Sequence, residues 1–207
     1  MATLTQLREK FDKAISRIER PGIVDLVAWL ENDTDFFKAP ASTRFHGNYD
    51  GGLLEHSLHV LEFALTNFNY LLKYKPEYKS FQESVIIAAL FHDVCKVNQY
   101  KWGEEKWTKN DAGRWASYKS YGFKDDLPMG HGEKSVYYIS RQMDLKTSEI
   151  LAIRWHMSTS EAGTQFDGLT KYAYNQAFED PLVKIIAASD QLACMAAETI
   201  DYKSQAR

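Results

Sequence analysis

The chain has 207 residues, 44% of them apolar and 26% charged, which is the balance of a folded globular protein and excludes disordered, collagen-like and disulfide-scaffold classes. With 25 basic against 28 acidic side chains the net charge is −3, so no overall positive field gathers nucleic acid and no long duplex DNA is expected as a partner. Cys95 and Cys194 lie in apolar stretches and read as reduced thiols of a cytoplasmic protein. No apolar run reaches roughly 18 residues, and the first residues lack a signal-peptide core, so neither a membrane span nor a membrane partner is expected.

In chain order, Leu4, Leu7, Phe11, Ala14, Ile15 and Ile18 mark one face of a helix over 4–18, closed by Pro21. A short helix over 23–30 follows. Residues 38–52 carry Pro40, Gly47, Gly51 and Gly52 and read as a loop. The strongest stripe, Leu54, Leu58, Leu61, Leu65, Phe68 and Leu72, opens near Leu53 and runs toward Pro76. A further helix from Phe81 leads into His92-Asp93. Between 98 and 128 the period breaks into aromatic and Thr-containing segments around Asp111-Ala112-Gly113, the pattern of a β-hairpin or irregular insertion. Helical spacing resumes over 133–143, 148–157 and 169–178, and a last helix starts at Pro181, a favoured first-turn residue. The expected fold is all-α, about seven to eight helices with a small β-hairpin inserted after the fourth. It reads as one domain over 1–207, with N-terminal helices and loop over 1–50, a core over 51–97 and 129–196, and the insertion over 98–128.

The chain has 6 histidines. His92, His131 and His156 sit in or beside apolar helices, and Asp190 lies in a segment apolar on nearly every side. An unpaired carboxylate buried there would cost several kcal/mol, a need that a divalent ion shared with imidazoles would meet. Alternatively, Asp190 caps or hydrogen-bonds a neighbour on a face open to solvent.

His56 in Gly51-Gly52-Leu53-Leu54-Glu55-His56-Ser57, then Phe91-His92-Asp93-Val94-Cys95-Lys96, then Asp190 in Ala187-Ala188-Ser189-Asp190 resemble the HD-domain superfamily of metal-dependent phosphohydrolases over roughly residues 50–196. The resemblance implies an HD-type helical bundle and a metal held by His56, His92, Asp93 and Asp190. It implies further that His131 and His156 occupy the places of the two extra histidines found in dinuclear subgroups. One or two divalent ions are expected, with Mn, Fe, Co, Ni, Zn and Mg all compatible with such donors. His56, His92 and Asp190 would serve the first ion, His131 and His156 the second, and Asp93 would bridge them. The pattern departs from the family at Cys95, where many relatives carry glycine. A thiol there could ligate metal, but its helical context favours the core. No glycine-tyrosine-proline signature of the cyclic-di-nucleotide branch follows His156.

Around this set, Lys96 lies three residues past Asp93, on a neighbouring helical position, and is a candidate contact for a substrate phosphate; the alternative is a helix-terminal lysine facing the dipole. Arg44 and His46, in the glycine-containing loop, and His59, three residues past His56, are weaker substrate-binding candidates. Glu55 reads as a solvated helix residue. From Lys96 to Lys124, 7 basic residues meet 3 acidic ones among Tyr100, Trp102, Trp107, Trp115, Tyr118 and Tyr121. Such a surface can stack bases and meet phosphates, and it would equally pack a hairpin onto helices or form a homodimer contact. The function these residues point to is hydrolysis of a phosphate ester or anhydride of a nucleotide or short oligonucleotide, with Asp93 and Lys96 as catalytic groups. A 3′–5′ exoribonuclease-type phosphodiesterase and a non-catalytic nucleotide sensor are the alternatives.

Overall fold

The structure, a computed structural model, describes residues 2–157 and 168–206. Among them are eight α-helices: α1 (Leu4–Ile15), α2 (Ile23–Asn32), α3 (Gly52–Leu71), α4 (Gln82–Phe91), α5 (His131–Ser140), α6 (Thr147–Trp155), α7 (Gly168–Ala177) and α8 (Pro181–Ala196). The antiparallel strands β1 (Tyr100–Lys109) and β2 (Trp115–Phe123) lie between α4 and α5, so the all-α reading with a hairpin after the fourth helix holds.

Helix α4 is the axis of the bundle. Every residue from Ser84 to Phe91 is buried, as expected for a helix that is apolar all round. α3 packs on α4 and α8, and α6 packs on α4, α5 and α8. α1 is opened by a reciprocal cap in which Gln6 N–H donates to Thr3 Oγ1 and Thr3 N–H donates to Gln6 Oε1, satisfying two otherwise orphaned donors. It delivers Phe11 onto Phe36, Phe37 and Phe91, with ring centroids 5.2–6.3 Å apart. One apolar cluster therefore runs from Leu7 to Ala193.

Two helices stop earlier than their apolar stripes suggest. After Ile15 the amides of Arg17 and Ile18 bond three residues back, to Ala14 and Ile15, the tighter turn that a helix adopts before a break. α3 likewise ends at Leu71, and Pro76 opens a short 3₁₀ turn (Pro76–Phe81) rather than terminating the helix directly. α4 ends at Phe91, one residue before the His92-Asp93 pair, and a 3₁₀ turn (Val94–Lys96) follows.

The hairpin pairs Tyr100 with Phe123 through Lys109 with Trp115, with an irregularity at Gly103. Its turn is tied by Asn110 Oδ1, which accepts from the amides of Ala112 and Arg114. Trp102, Trp107 and Trp115 are at least half exposed. The hairpin is anchored from two sides. Tyr121 donates to Asp50 Oδ1 at 2.6 Å, and the Trp102 ring meets Tyr202, with centroids 4.9 Å apart. The stretch carrying Tyr202 crosses the 42–50 loop: Asn48 exchanges two 2.7 Å hydrogen bonds with the backbone of Ile200, and Gly47 N–H donates to Glu198 O.

Remote from these elements, Arg20 forms a bidentate pair with Glu149 at 2.9 Å on both arms and a further bond to Glu83 at 2.8 Å. Glu149 is fully buried, so this guanidinium is what neutralises it. Removing one partner of a buried pair strands the other charge, at about 3–5 kcal/mol. Arg20→Ala is therefore expected to lower unfolding free energy by that amount in urea titration. A loss under about 1 kcal/mol would show that the pair behaves as a surface ion pair.

Candidate metal centre

Five helices each bring side chains to one buried cluster. His56 comes from the second turn of α3, while His92 and Asp93 follow the last residue of α4. His131 opens α5, His156 follows the last residue of α6, and Asp190 lies in α8. All but His131 are buried, and His131 is half-buried. His56 Nε2 is 3.0 Å from Asp190 Oδ1 and 3.3 Å from His92 Nε2, and His92 Nε2 is 3.7 Å from Asp190 Oδ1. Asp93 turns its two oxygens in different directions. Oδ2 is 3.5 Å from His56 and 3.4 Å from His92, whereas Oδ1 is 2.6 Å from His131 and 3.5 Å from His156. All six metal-ligand candidates are thus brought together.

Local backbone geometry orients the rings. His92 and His156 each use Nδ1 on the carbonyl three residues back, Ala89 O at 2.8 Å and Ile153 O at 2.7 Å. With Nδ1 donating, the neutral ring presents its lone pair at Nε2, the arrangement found where a second partner fixes a metal-binding imidazole. His156 Nε2 is buried without a hydrogen-bond partner among the described residues, and the Nε2 atoms of His56 and His92 face each other. Imidazole nitrogens and carboxylate oxygens that converge in a buried site suit a cation between them. The donor set, imidazole nitrogen and carboxylate oxygen, fits a divalent metal, and three of the possible triads are His56–His92–Asp190, His92–Asp93–His156 and Asp93–Cys95–His131. The cluster could therefore hold a divalent ion.

Two glycines make this convergence possible. A Cβ on Gly132 would overlap the carbonyl oxygen of Arg154, and one on Gly52 the carbonyl of Gly47. Gly132 lets α5 touch α6 so closely that the His131 and His156 rings lie 5.4 Å apart. Gly52 seats the first turn of α3 on the loop that carries His46.

The electrostatics follow from burial and neighbours. Burial alone would raise Asp93, but the Lys96 ammonium with His92 and His131 holds it well below the usual carboxylate range. Asp190 is likewise depressed against burial, chiefly by its bond to His56. Burial lowers His56 and His131, and it pushes His46 down to about 4. His156 runs the other way, raised by Asp93 against the effect of burial.

The remaining candidates separate. Lys96 is buried and its Nζ donates to Asp93 Oδ2 at 2.6 Å. It reaches Asp93 through a 3₁₀ turn rather than along a helix. The His46 ring stacks on that of His56 at 4.7 Å and its Nε2 lies 3.6 Å from Cys194 Sγ, so His46 borders the cluster. His59 does not: it lines a separate cavity of about 710 Å³ with Leu58, Glu62 and Lys10. Arg44 is exposed and lines a second cavity, of about 730 Å³, beside the hairpin. The reading of Glu55 as solvated is corrected, because it is buried and accepts a 2.6 Å hydrogen bond from Tyr49. Sequence reasoning also missed Cys194, half-buried and one helical turn from Asp190. Only its i, i+4 spacing could have signalled it.

Residues 53–195, which contain all six candidate ligands, match the family model for the HD domain. The chain belongs to the HD-domain family. Over 98 residues, 46% of this chain, it is 34% identical to the dihydroneopterin 2′,3′-cyclic phosphate phosphodiesterase of Methanocaldococcus jannaschii, and the match spans 36% of that protein's length. No solved structure gives a significant match. In this HD domain the doublet that names the family is the His92-Asp93 pair at the end of the buried axis α4. No helix among the described residues is long and apolar enough to cross a membrane.

Two predictions follow from this geometry. Gly132→Ala should push α5 off α6, destabilising the fold by roughly 1–3 kcal/mol and weakening divalent-ion binding in a metal titration; unchanged ion affinity would show that the close approach is dispensable. Acid should also destabilise the metal-free protein. An unfolded chain takes up protons on His46, His56 and His131 near 6.5, whereas the folded one resists, down to about 4 for His46. His156, raised instead, acts only above 6.5, where the folded form takes up its proton first and gains stability. Below 3.8 the depressed Asp93 and Asp190 add their loss, because their folded forms stay ionised. Stability is therefore lost as pH falls below 6.5 and is lost further as the two aspartates join below 3.8, and urea midpoints at constant ionic strength read it directly.

Proposed function

We propose that the protein is a metal-dependent phosphohydrolase with a dinuclear centre, and that it cleaves a phosphodiester of a nucleotide or short oligonucleotide. The observation that carries this reading is the divided Asp93 carboxylate. One oxygen faces His56 and His92, with Asp190 beyond them, and the other faces His131 and His156. Asp93 would thus contribute to both ions, with His56, His92 and Asp190 holding one and His131 and His156 the other. Divalent ions there would supply Lewis acidity and a water of lowered pKa. Mn, Fe, Co, Ni, Zn and Mg all remain compatible with the nitrogen and oxygen donors.

The chain's own groups do the rest. The Lys96 ammonium is held against Asp93 and is the cation that a phosphoryl oxygen meets on reaching the cluster. His46 stands on the His56 ring at the edge of the site, in a position to orient the ester or its leaving group. The preference for a diester is supported by the relative named as a cyclic phosphate phosphodiesterase. The preference for a nucleotide is supported by the cavity of about 730 Å³ beside the hairpin, where Arg44, Lys106 and Lys203 stand among Trp107, Tyr118 and Tyr202. Cations there suit phosphates and aromatic faces suit bases.

Metal analysis of the native protein, followed by a hydrolysis screen over cyclic and linear nucleotides, dinucleotides and short RNA, tests the reading. Asp93→Ala is expected to remove bound metal and to lower kcat/KM by about 10³-fold or more while the helical circular dichroism persists. Full turnover by the metal-free variant would refute the assignment, and nucleotide binding without product would make the protein a sensor. If bases stack in the hairpin cavity, Trp107→Ala should raise KM for an oligonucleotide by about 5- to 150-fold, the equivalent of one stacked base, and leave kcat for a small diester unchanged. An unaltered KM would place the substrate elsewhere.

A further inference from the structure

We infer that Cys95 is a sulfur ligand of the ion at the Asp93–His131 end of the cluster, which makes this end a mixed thiolate, imidazole and carboxylate site for a borderline-soft divalent cation such as Zn, Co or Fe. The inference rests on the metal-centre reading above and adds to it a ligand that the histidine and aspartate pattern does not contain.

The placement of the thiol is specific. After Asp93 the 3₁₀ turn Val94–Lys96 carries Cys95 across to α5, where its backbone amide donates to Ser135 Oγ at 3.0 Å. Ser135 is buried and lies one helical turn beyond His131, so the bond pins Cys95 to the helix that presents that imidazole. The result is Sγ at 3.3 Å from both ring nitrogens of His131, with donor atoms of Asp93, Cys95 and His131 all within 4.8 Å of one another. Sulfur at about 2.3 Å and nitrogen at about 2.0–2.1 Å from a tetrahedral ion stand roughly 3.5 Å apart, which the Sγ–Nε2 distance of 3.3 Å approaches, and a turn of the His131 ring that moves Nδ1 away from Sγ brings both onto one ion. The residue is buried, yet its sulfur lies against the His131 ring and Cys95 is not part of the apolar cluster. A second observation points to a ligand beside it, across the shared Asp93: His156 Nε2, on a fully buried ring, has no hydrogen-bond partner among the described residues and lies 3.5 Å from Asp93 Oδ1, the oxygen that His131 also meets.

Ligation forms one sulfur–metal bond, breaks the S–H bond and passes its proton to solvent, so no oxidant or reductant is involved. Thiolate favours Zn, Co and Fe over Mg and Mn, whereas imidazole and carboxylate alone discriminate less. The cysteine would thus set the metal preference of the site.

Cobalt substitution tests this without relying on turnover. Wild-type protein loaded with Co²⁺, its stoichiometry fixed by metal analysis, should show an intense near-ultraviolet sulfur-to-cobalt charge-transfer band. Cys95→Ser, close to isosteric and checked for helical circular dichroism, should still bind cobalt but lose the band. Cys194→Ser should keep it. Zinc binding to wild type should release one proton more than binding to Cys95→Ser, and zinc affinity in the variant should fall by roughly 10- to 100-fold with manganese affinity unchanged. Cobalt bound to wild type without the band overturns the inference and leaves the metal centre standing. A band that survives in Cys95→Ser, or vanishes in Cys194→Ser, overturns it too. Failure of the wild type to bind cobalt at all overturns both readings.

Discussion

Lone pairs aimed at one another inside a helical bundle are the constraint around which this protein is arranged. His92 and His156 direct Nε2 inward because each Nδ1 is committed to a backbone carbonyl, and Asp93 and Asp190 add two carboxylates to the same space. Lys96 neutralises one of them through its bond to Asp93, leaving a buried excess of one negative charge before any imidazole takes a proton. A buried charge without a partner costs several kcal/mol, and the Nε2 atoms of His56 and His92, 3.3 Å apart, lie beside it. A divalent cation there offsets that charge. Five helices accept this local conflict, and they are held in place by apolar packing that does not depend on it, from the Phe11–Phe91 contact at one end to the α3–α8 interface at the other.

The same backbone device occurs twice. α4 and α6 each end one residue before a histidine, His92 or His156, whose ring then bonds back to its own last turn. The carbonyls of a helix C-terminus lack intrahelical partners, so an imidazole N–H satisfies one of them while gaining a fixed orientation. Ending α4 at Phe91 also frees Asp93 from the helical spiral. On a continuing helix its side chain would point about 100° away from that of His92; after the break, both reach the same cluster. The glycines complete the construction, because a side chain at position 132 would hold α5 away from the carbonyl of Arg154 and separate His131 from His156.

What could be read from the sequence was what local chemistry determines. Apolar spacing located the helices, since burial of one stripe is dictated by the period itself, and Pro181 marked the start of α8 with Asp180 capping Leu182. The order of His56, His92-Asp93, His131, His156 and Asp190 identified the residues that the structure brings together. Residues whose surroundings are set by distant chain were misplaced. Glu55 looked solvated because helix periodicity does not reveal that Tyr49 folds over it. His59 and His46 could not be ranked, since one helical turn separates His59 from His56 whereas His46 lies 10 positions before His56, in the loop that precedes α3. Yet His46 is the one that stacks on His56, carried there by a loop pinned to Glu198 and Ile200. The Arg20–Glu149 pair was invisible for the same reason, its partners lying 129 residues apart.

That division between local and distant determination also separates chemistry from selection of substrate. The candidate ligands sit on or at the ends of helices around α4, where packing at close to crystalline density leaves little freedom. The cavity beside the hairpin is built instead from three segments far apart in sequence: the 42–50 loop, the hairpin and the stretch through Tyr202. They are joined by a few polar bonds and ring contacts, Asn48 to Ile200, Tyr121 to Asp50 and Trp102 to Tyr202. Such connections tolerate substitution far better than a buried helix does. The first residue of the hairpin, Tyr100, approaches the cluster: it is half-buried within reach of the Lys96 and Asp93 charges, and burial pushes its phenol up to about 12. A change in the hairpin beyond Tyr100 can therefore alter that cavity without disturbing the candidate ligands, while a change in α4 can hardly avoid doing so.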